Sequence, residues 1–170
     1  MNIRALLVSS LGLGYLRPAP GTWGSLPPPA LFFLLILLGA SHTSINIAMA
    51  ALLLLGSLSC LILGGWAESH FGRKDASYIV ADETAGQSIP LLFLPAAAIS
   101  TPTRAFLTLS AAFLLFRILD IIKPPPAHQL QRLPTGLGVL IDDLLAGLYA
   151  CLILQLSLHF LILPLLVPSA

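Results

Sequence analysis

Two adjacent carboxylates inside an aliphatic run constrain this chain more than any other feature. Residues 135–147 read Thr-Gly-Leu-Gly-Val-Leu-Ile-Asp-Asp-Leu-Leu-Ala-Gly, and the apolar character continues to Leu163. An ionised Asp near the middle of a membrane helix costs about 2.5 to 3.5 kcal/mol on insertion scales. Asp142 and Asp143 therefore need a compensating partner, and we expect that partner to be a bound cation.

The composition indicates that the surrounding chain lies in a membrane. Of 170 residues, 57% are hydrophobic and only 9% are charged, and the mean hydropathy is +0.95. A soluble domain of this size would be far less apolar, so we expect a single integral membrane domain over residues 1–170. The net charge of +1 offers no basic surface to recruit nucleic acid.

Apolar segments separated by polar or Pro-rich breaks predict an all-α, polytopic membrane helical bundle. Residues 1–16 are expected to form a short interfacial helix. The hydrophobic segments that follow are 26–39, 45–66, 78–100, 104–122 and 139–163. The first would reach about 21 Å as a helix, short of the roughly 30 Å hydrocarbon core, so four to five hydrophobic segments are expected without a fixed number of spans. Pro90 and Pro95 are expected to kink the third segment.

The basic residues predict how the bundle is oriented. If all five segments cross, nearly all basic residues fall on one face of the membrane, and only Arg104 lies opposite. That face holds Arg4, Arg17, Arg73, Lys74, Lys123 and Arg132, with Arg117 near its boundary. By the positive-inside bias, this face is expected to be cytoplasmic.

Five of the seven acidic residues fall at this same end of the last three segments. They are Asp82, Glu83, Asp120, Asp142 and Asp143. Adjacent helical residues project about 100° apart, so each acidic pair can offer one carboxylate to a shared site. Arg117 and Asp120 are three residues apart and share a helix face. The alternative is that Arg117 and Asp120 form only a structural ion pair and the acids reach out to water.

Charge favours a metal ion among these acids. Five carboxylates against Arg117 and Lys123 leave a charge of about −3, and a phosphomonoester would add nearly −2, so the substrate would be repelled. Two divalent cations would bring the occupied site to about −1. Carboxylates without accompanying His or Cys favour Mg²⁺ or Mn²⁺ over zinc.

The Pro/Gly-rich stretch 17–26 is the second candidate site element. Gly21 and Gly24 let the backbone approach a ligand, while Thr22 and Ser25 supply hydroxyls ahead of a helix N-terminus, a place suited to anions. Residues 27–29 are all proline, which removes three first-turn donors. A Pro-stiffened turn capped by Ser25 is the alternative interpretation.

Four motifs, taken together and in this order, resemble the phosphatidylglycerophosphatase A family. They are residues 18–25, 79–87, 116–124 and 136–147. The resemblance implies an all-helical, Mg²⁺-dependent phosphomonoesterase of bacterial inner membranes that converts phosphatidylglycerophosphate to phosphatidylglycerol. At residue 81 the family commonly has an aromatic residue, whereas this chain has Ala81. We expect this difference to affect side-chain packing and not the chemistry of the site.

The resemblance also implies roles for individual residues. Asp82 and Glu83 match the family's Asp-Glu, and Asp142 and Asp143 match its Asp-Asp, so these four are the candidate catalytic residues. Its Arg-x-x-Asp-x-x-Lys-Pro motif matches residues 117–124. The candidate metal ligands are Asp82, Glu83, Asp120, Asp142 and Asp143. The candidate substrate-binding residues are Thr22, Ser25, Arg117 and Lys123.

These expectations define a mechanism and leave two alternatives open. A membrane lipid would enter laterally with its phosphate at the cytoplasmic interface, and an activated water would displace the alcohol in line. A covalent aspartyl-phosphate is the second possibility for the chemistry. The alternative from another class is a small carboxylate-lined cation transporter, whose acids would be expected near the midplane.

Overall fold

The structure is a computed structural model that describes residues 2–73, 76–130, 135–162 and 164. These residues form eight α-helices and no strand, so the predicted all-α fold is confirmed. The helices are α1 (Ile3–Val8), α2 (Pro20–Ser25), α3 (Pro27–Leu37), α4 (His42–Phe71), α5 (Ala81–Ser88), α6 (Pro102–Ile122), α7 (Ala127–Leu130) and α8 (Thr135–Ser157). Short 3₁₀ turns cover Leu13–Tyr15, Ile89–Leu91 and Ala96–Ile99, and a π-helical turn, Leu158–Ile162, extends α8.

Three helices within the described residues are long and apolar enough to cross a membrane. They are His42–Phe71, Pro102–Ile122 and Gly136–Ile162. Their outward faces carry many exposed aliphatic side chains, such as Ile62 on α4 and Ile118 on α6. Such faces suit a lipid environment, because burial against lipid removes apolar surface from water. The chain is a membrane protein with at least these three candidate spans.

The other two predicted segments do not form long helices. Segment 26–39 contains α3, whose 11 residues reach only about 16 Å. Segment 78–100 begins as α5 and then breaks, so the kink expected at Pro90 and Pro95 is a complete interruption of the helix. Neither proline has an N–H to continue the helical ladder.

Side chains from the long helices stabilise this break. Phe93 has a positive φ of 55°, and its N–H donates to Asn46 Oδ1 at 2.7 Å. The Gln155 amide donates to the carbonyl oxygens of Leu92 and Phe93, each at 3.3 Å. Buried backbone groups need such partners, and here the spanning helices α4 and α8 supply them.

The bundle has two ends that differ in charge. We call the end where α6 terminates and α8 begins the site end, and the opposite end the far end. Of the basic residues that the structure describes, only Arg104 lies at the far end, where it donates to Ala97 and Ser100. At the site end, α1 packs on the last turns of α4 through Val8 and Ala67. The exposed apolar side chains of α1, such as Leu7, fit the predicted interfacial helix.

Helix α8 is held close to α4 and α5 by glycines. A Cβ on Gly136 would lie 2.0 Å from Cys60 O on α4, and a Cβ on Gly147 would lie 2.2 Å from Gly86 O on α5. No larger residue fits at either crossing without moving a backbone. The consequence is that the acids of α8 face those of α5 across a short distance.

Candidate active site

Helix α5 presents two acids from its first turn, and several hydrogen bonds fix its position. The N–H of Val80, just before the helix, donates to Val8 O at 2.9 Å. The Thr84 hydroxyl donates to Gly24 O at 2.7 Å and lies 2.7 Å from the Ser10 hydroxyl. These contacts anchor the side of α5 that faces α1 and α2, and they leave Asp82 and Glu83 to face the rest of the site.

Asp82, Glu83 and Asp143 form a three-carboxylate cluster. Each offers one carboxylate oxygen, and these oxygens all lie within 4.8 Å of one another. Glu83 Oε2 and Asp143 Oδ2 are buried and have no hydrogen-bond partner among the described residues. A buried carboxylate oxygen without a partner carries a large desolvation penalty. An all-oxygen set of this kind fits a hard divalent cation such as Mg²⁺ or Mn²⁺.

The protonation of Glu83 reflects this crowding. Burial raises the pKa of Glu83 to about 8, and the negative charges of Asp143 and Asp120 add to the effect. The hydrogen bond with Asp82 and the charge of Arg117 act in the opposite direction. The carboxyl group of Glu83 therefore ionises readily only when more positive charge is nearby.

The other two acids are each paired with a basic residue. Arg117 Nη1 donates to Asp120 Oδ2 at 2.7 Å, and Lys123 Nζ forms an ion pair with Asp142 Oδ2. The five acids and Lys123 line a single cavity of about 230 Å³ together with Ile121 and Val139. The structure thus brings together all five acids named from the sequence. Metal binding by any of the five acids stays a prediction.

Lys123 lies where α6 breaks, and this break lets its side chain turn inward. Its φ of +49° is left-handed, and its N–H donates to Leu119 O at 2.8 Å as α6 ends. The following proline, Pro124, disfavours helical geometry at Lys123, which explains why the backbone leaves the helix at this residue. Burial alone would lower the pKa of Lys123, but the hydrogen bond and charge of Asp142, with Asp143 and Asp120, raise it above its ordinary value.

The stretch 17–26 packs against this cluster from one side. A Cβ on Gly21 would lie 2.5 Å from Glu83 Oε1 and 3.1 Å from Arg117 Nη2. The Ser25 hydroxyl donates to Gly21 O at 2.7 Å and accepts from Arg117 Nη1 at 3.3 Å. Ser25 therefore touches the site, whereas Thr22 is exposed. Ser25 does not cap α3, because that helix begins after Leu26 without a side-chain cap.

One buried polar residue on α5, the helix that carries Asp82 and Glu83, was missed by reasoning from the sequence. Gln87 is fully buried, and neither its Nε2 nor its Oε1 has a hydrogen-bond partner among the described residues. It lies four residues after Glu83 on α5, so both side chains share one helix face. A glutamine one turn from an acid within an otherwise apolar segment is the signal that could have identified it.

Comparison with known proteins identifies the family. Residues 6–158 match the profile described as Phosphatidylglycerophosphatase A. The chain belongs to the phosphatidylglycerophosphatase A family. The prediction made from the four motifs is therefore confirmed, and the match covers the whole site.

Individual relatives agree with this membership of the phosphatidylglycerophosphatase A family. A phosphatidylglycerophosphatase A of Haemophilus influenzae is 36% identical, covering 90% of this chain and 87% of the relative. Another phosphatidylglycerophosphatase A, from Escherichia coli K12, is 32% identical, and the match covers 91% of this chain and 83% of that relative. A third relative, from Bacteroides thetaiotaomicron, is provisionally named a phosphatidylinositol-3-phosphatase. It is 35% identical, and the match covers 89% of this chain and 91% of that relative. No solved structure matches this chain.

Family membership decides between the two classes of function that the sequence left open. The chain is a phosphatase rather than a cation transporter. The position of the acids agrees, because they lie at the first turn of α5, the last turn of α6 and the first half of α8, near one end of the bundle. The names of the relatives refer to two different lipid headgroups, phosphatidylglycerophosphate and phosphatidylinositol 3-phosphate.

Proposed function

We propose that this protein hydrolyses the phosphomonoester of phosphatidylglycerophosphate to give phosphatidylglycerol and phosphate, as a Mg²⁺-dependent step of phospholipid biosynthesis. The observation that carries the proposal is the three-carboxylate cluster of Asp82, Glu83 and Asp143, flanked by Arg117 and Lys123 at one end of a membrane bundle. Two of the three relatives bear the name of this activity.

The three-carboxylate cluster is the proposed binding site of the cation. Its buried oxygens without partners, on Glu83 and Asp143, need a positive charge. Mg²⁺ held there would supply Lewis-acid polarisation of the phosphoryl group and would promote deprotonation of a water. Asp120 and Asp142 line the same cavity, and we propose that they complete the set of ligands.

Arg117 and Lys123 are the proposed contacts for the phosphate oxygens. Each already pairs with a carboxylate on the cavity wall, so each is held in place before substrate arrives. An incoming phosphomonoester, with a charge of nearly −2, competes with Asp120 and Asp142 for these two cations. Preorganised positive charge of this kind stabilises the additional negative charge of phosphoryl transfer without moving side chains far.

The reaction itself is a displacement at phosphorus. A water attacks the phosphorus atom in line with the bond to the glycerol oxygen, that bond breaks, and the water's proton passes to the released alcohol. We place a water ahead of an Asp as the nucleophile, because an Asp that binds Mg²⁺ is a weak nucleophile.

The site end is proposed to face the cytoplasm of a bacterial inner membrane. Of the described basic residues, all but Arg104 lie at this end, which agrees with the positive-inside bias. Lys74 and Arg132, which the sequence also assigned to this face, lie outside the described residues. The lipid would keep its acyl chains in the bilayer while its phosphate enters the cavity from the interface.

The decisive experiment measures phosphate release by the purified protein in non-ionic detergent micelles. We expect hydrolysis of phosphatidylglycerophosphate, loss of activity in EDTA, and recovery with Mg²⁺. Phosphatidylinositol 3-phosphate and phosphatidic acid serve as competing substrates, and Asp143→Asn protein, prepared identically, reports any contaminating phosphatase. Full activity in chelator would overturn the metal assignment. Preferred hydrolysis of the inositol lipid would overturn the substrate.

A further inference from the structure

An apolar groove runs between α3 and α6 toward the site end of the bundle. Its volume is about 320 Å³, within the range of small-ligand pockets. From α3 and the residue before it come Leu26, Pro29 and Phe33. Their spacing of three and four residues places them on one face of the helix. Leu26 directly follows Ser25, whose hydroxyl accepts a hydrogen bond from Arg117, so the α3 side of the groove begins one residue from that contact.

The α6 side of the groove leads to the same point. Phe106, Ser110 and Phe113 line it, and Arg117 continues their spacing of four, three and four residues. These four side chains therefore lie along one stripe of α6. The hydrogen bond of 3.3 Å from Arg117 Nη1 to Ser25 Oγ joins α6 to the residue before Leu26, just past the site end of the groove. Phe33 and Phe106 meet edge to face, with ring centroids 6.3 Å apart, near the other end.

We propose that this groove binds one acyl chain of the lipid substrate, an inference that rests on the proposed function and extends it. The groove is lined mostly by apolar side chains, lies between the hydrophobic helices α3 and α6, and ends one helical turn before Arg117 on α6. A lipid whose chain lies there has its headgroup at the site end of the groove, with its terminal phosphate within reach of Arg117 and the carboxylates. Leu114, which also lines the groove, is more than half exposed, so a chain enters sideways from the bilayer.

A second apolar cavity, of about 460 Å³, lies between α1, α4 and α5. It is a weaker candidate for the acyl chain, because it does not lead toward Arg117. It is lined by Thr84, whose hydroxyl is hydrogen-bonded to Gly24 O on the side of α5 away from Glu83. Neither this cavity nor the α3–α6 groove has a basic side chain among its described lining residues. The α3–α6 groove differs because its stripe of lining residues on α6 leads, one helical turn further on, to Arg117.

The test fills the groove with a bulky side chain and varies the length of the substrate's acyl chains. Ser110→Trp places an indole in the middle of the groove, about 10 Å along α6 from Arg117. Leu107→Trp is the matched control, because Leu107 is exposed on α6 and does not line the groove. Both variants are assayed in mixed micelles at equal surface concentrations of dioleoyl and dihexanoyl phosphatidylglycerophosphate.

We expect Ser110→Trp to lower kcat/KM for the dioleoyl substrate at least tenfold and to change that for the dihexanoyl substrate less than threefold. The short chains end before they reach the new indole, whereas each methylene of a long chain that leaves the groove loses favourable burial. Leu107→Trp should change neither value more than twofold. An equal loss of kcat/KM on both substrates, or no loss on either, would show that the groove does not bind the acyl chain. Failure of the wild-type protein to hydrolyse either substrate overturns the proposed function instead.

A second variant keeps the proposal testable if Ser110→Trp does not fold. Ser110→Cys, in a Cys151→Ala background, is modified with alkyl methanethiosulfonates of increasing length, and Leu107→Cys is treated in the same way. Cys60 is buried and stays in place. We expect longer alkyl groups on residue 110 to inhibit hydrolysis of the dioleoyl substrate progressively, at least fivefold for the longest. Equal inhibition by alkyl groups on residues 107 and 110 would show that the groove does not bind the acyl chain.

Discussion

Gly21 lies so close to Glu83 that a Cβ at residue 21 would come within 2.5 Å of Glu83 Oε1. The same Cβ would also lie 3.1 Å from Arg117 Nη2. The bare backbone of α2 thus forms a wall of the site and separates an acid from a base. A glycine is required here because of this close approach, while its backbone dihedral angles are ordinary.

Gly21→Ala should therefore reduce catalysis more than stability. The added methyl group pushes the Glu83 carboxylate or the Arg117 guanidinium out of place, and a shift of about 1 Å at a reacting site can cost about 10² in rate. We expect kcat/KM to fall at least tenfold. Gly65→Ala on α4 is the control, because a Cβ there meets nothing within 4 Å, and its kcat/KM should stay within twofold of wild type. Equal effects of the two substitutions would show that Gly21 has no special role.

Neutral substitutions test the acids. Among Asp82→Asn, Glu83→Gln, Asp142→Asn and Asp143→Asn, we expect at least three to lower kcat by about 10² or more while the protein still inserts in the membrane. Each preserves shape and removes charge. Glu68→Gln is the control for loss of an acid outside the cavity. Near-normal rates in three of the four would show that the acids are structural.

Binding of Mn²⁺ distinguishes the acids that hold the metal from those that act in another way. If Asp82, Glu83 and Asp143 hold the metal, their substitution should weaken Mn²⁺ binding, followed by electron paramagnetic resonance, by at least tenfold. Asp142 is paired with Lys123, so Asp142→Asn should weaken that binding less. Undiminished Mn²⁺ binding by all three cluster variants would exclude the cluster as the metal site.

Lys123 should contribute directly to transition-state stabilisation. We expect Lys123→Met to lower kcat/KM by about 10² or more, equivalent to roughly 2.7 kcal/mol. Lys123→Arg should recover only part of this, because a planar guanidinium does not replace a point charge in a fixed pocket.

A double variant measures the contribution of the ion pair to stability. Lys123→Met leaves the buried Asp142 without its partner, and adding Asp142→Asn removes that unpaired charge. Thermal stability should return in the double variant, and the activity test rests on Lys123→Met alone. If Lys123→Met alone leaves kcat/KM within threefold of wild type, Lys123 only anchors the helix end at the interface.

Sidedness can be tested with an impermeant thiol reagent. Arg73, at the site end, and Thr103, at the far end, are both exposed, and a Cys151→Ala background leaves only the buried native Cys60. We expect Thr103→Cys to react in intact cells from the outside, and Arg73→Cys to react only after the inner membrane is opened. Ala76, although on the same loop as Arg73, is fully buried and is unsuitable as a probe. The reverse labelling pattern would invert the topology.

The sequence by itself determined the membrane environment and the main helices. A run of apolar residues long enough to cross a bilayer has few other folds available, because its backbone groups must bond to one another in lipid. The predicted segments 45–66 and 104–122 accordingly lie inside α4 and α6. Lys123 was predictable for a similarly local reason, since Pro124 restricts the residue before it.

Only the tertiary structure decided which acids meet. Spacing along a helix gives the position of a residue and its direction from the axis, but its neighbours depend on how helices cross. The close contacts at Gly86, Gly136 and Gly147 set that crossing. They bring Asp143 to Asp82 and Glu83, while its adjacent residue Asp142 turns to Lys123. The exposure of Thr22, the contact of Gly21 with Glu83 and the groove beside Arg117 follow from the same packing, because each joins residues far apart in the chain.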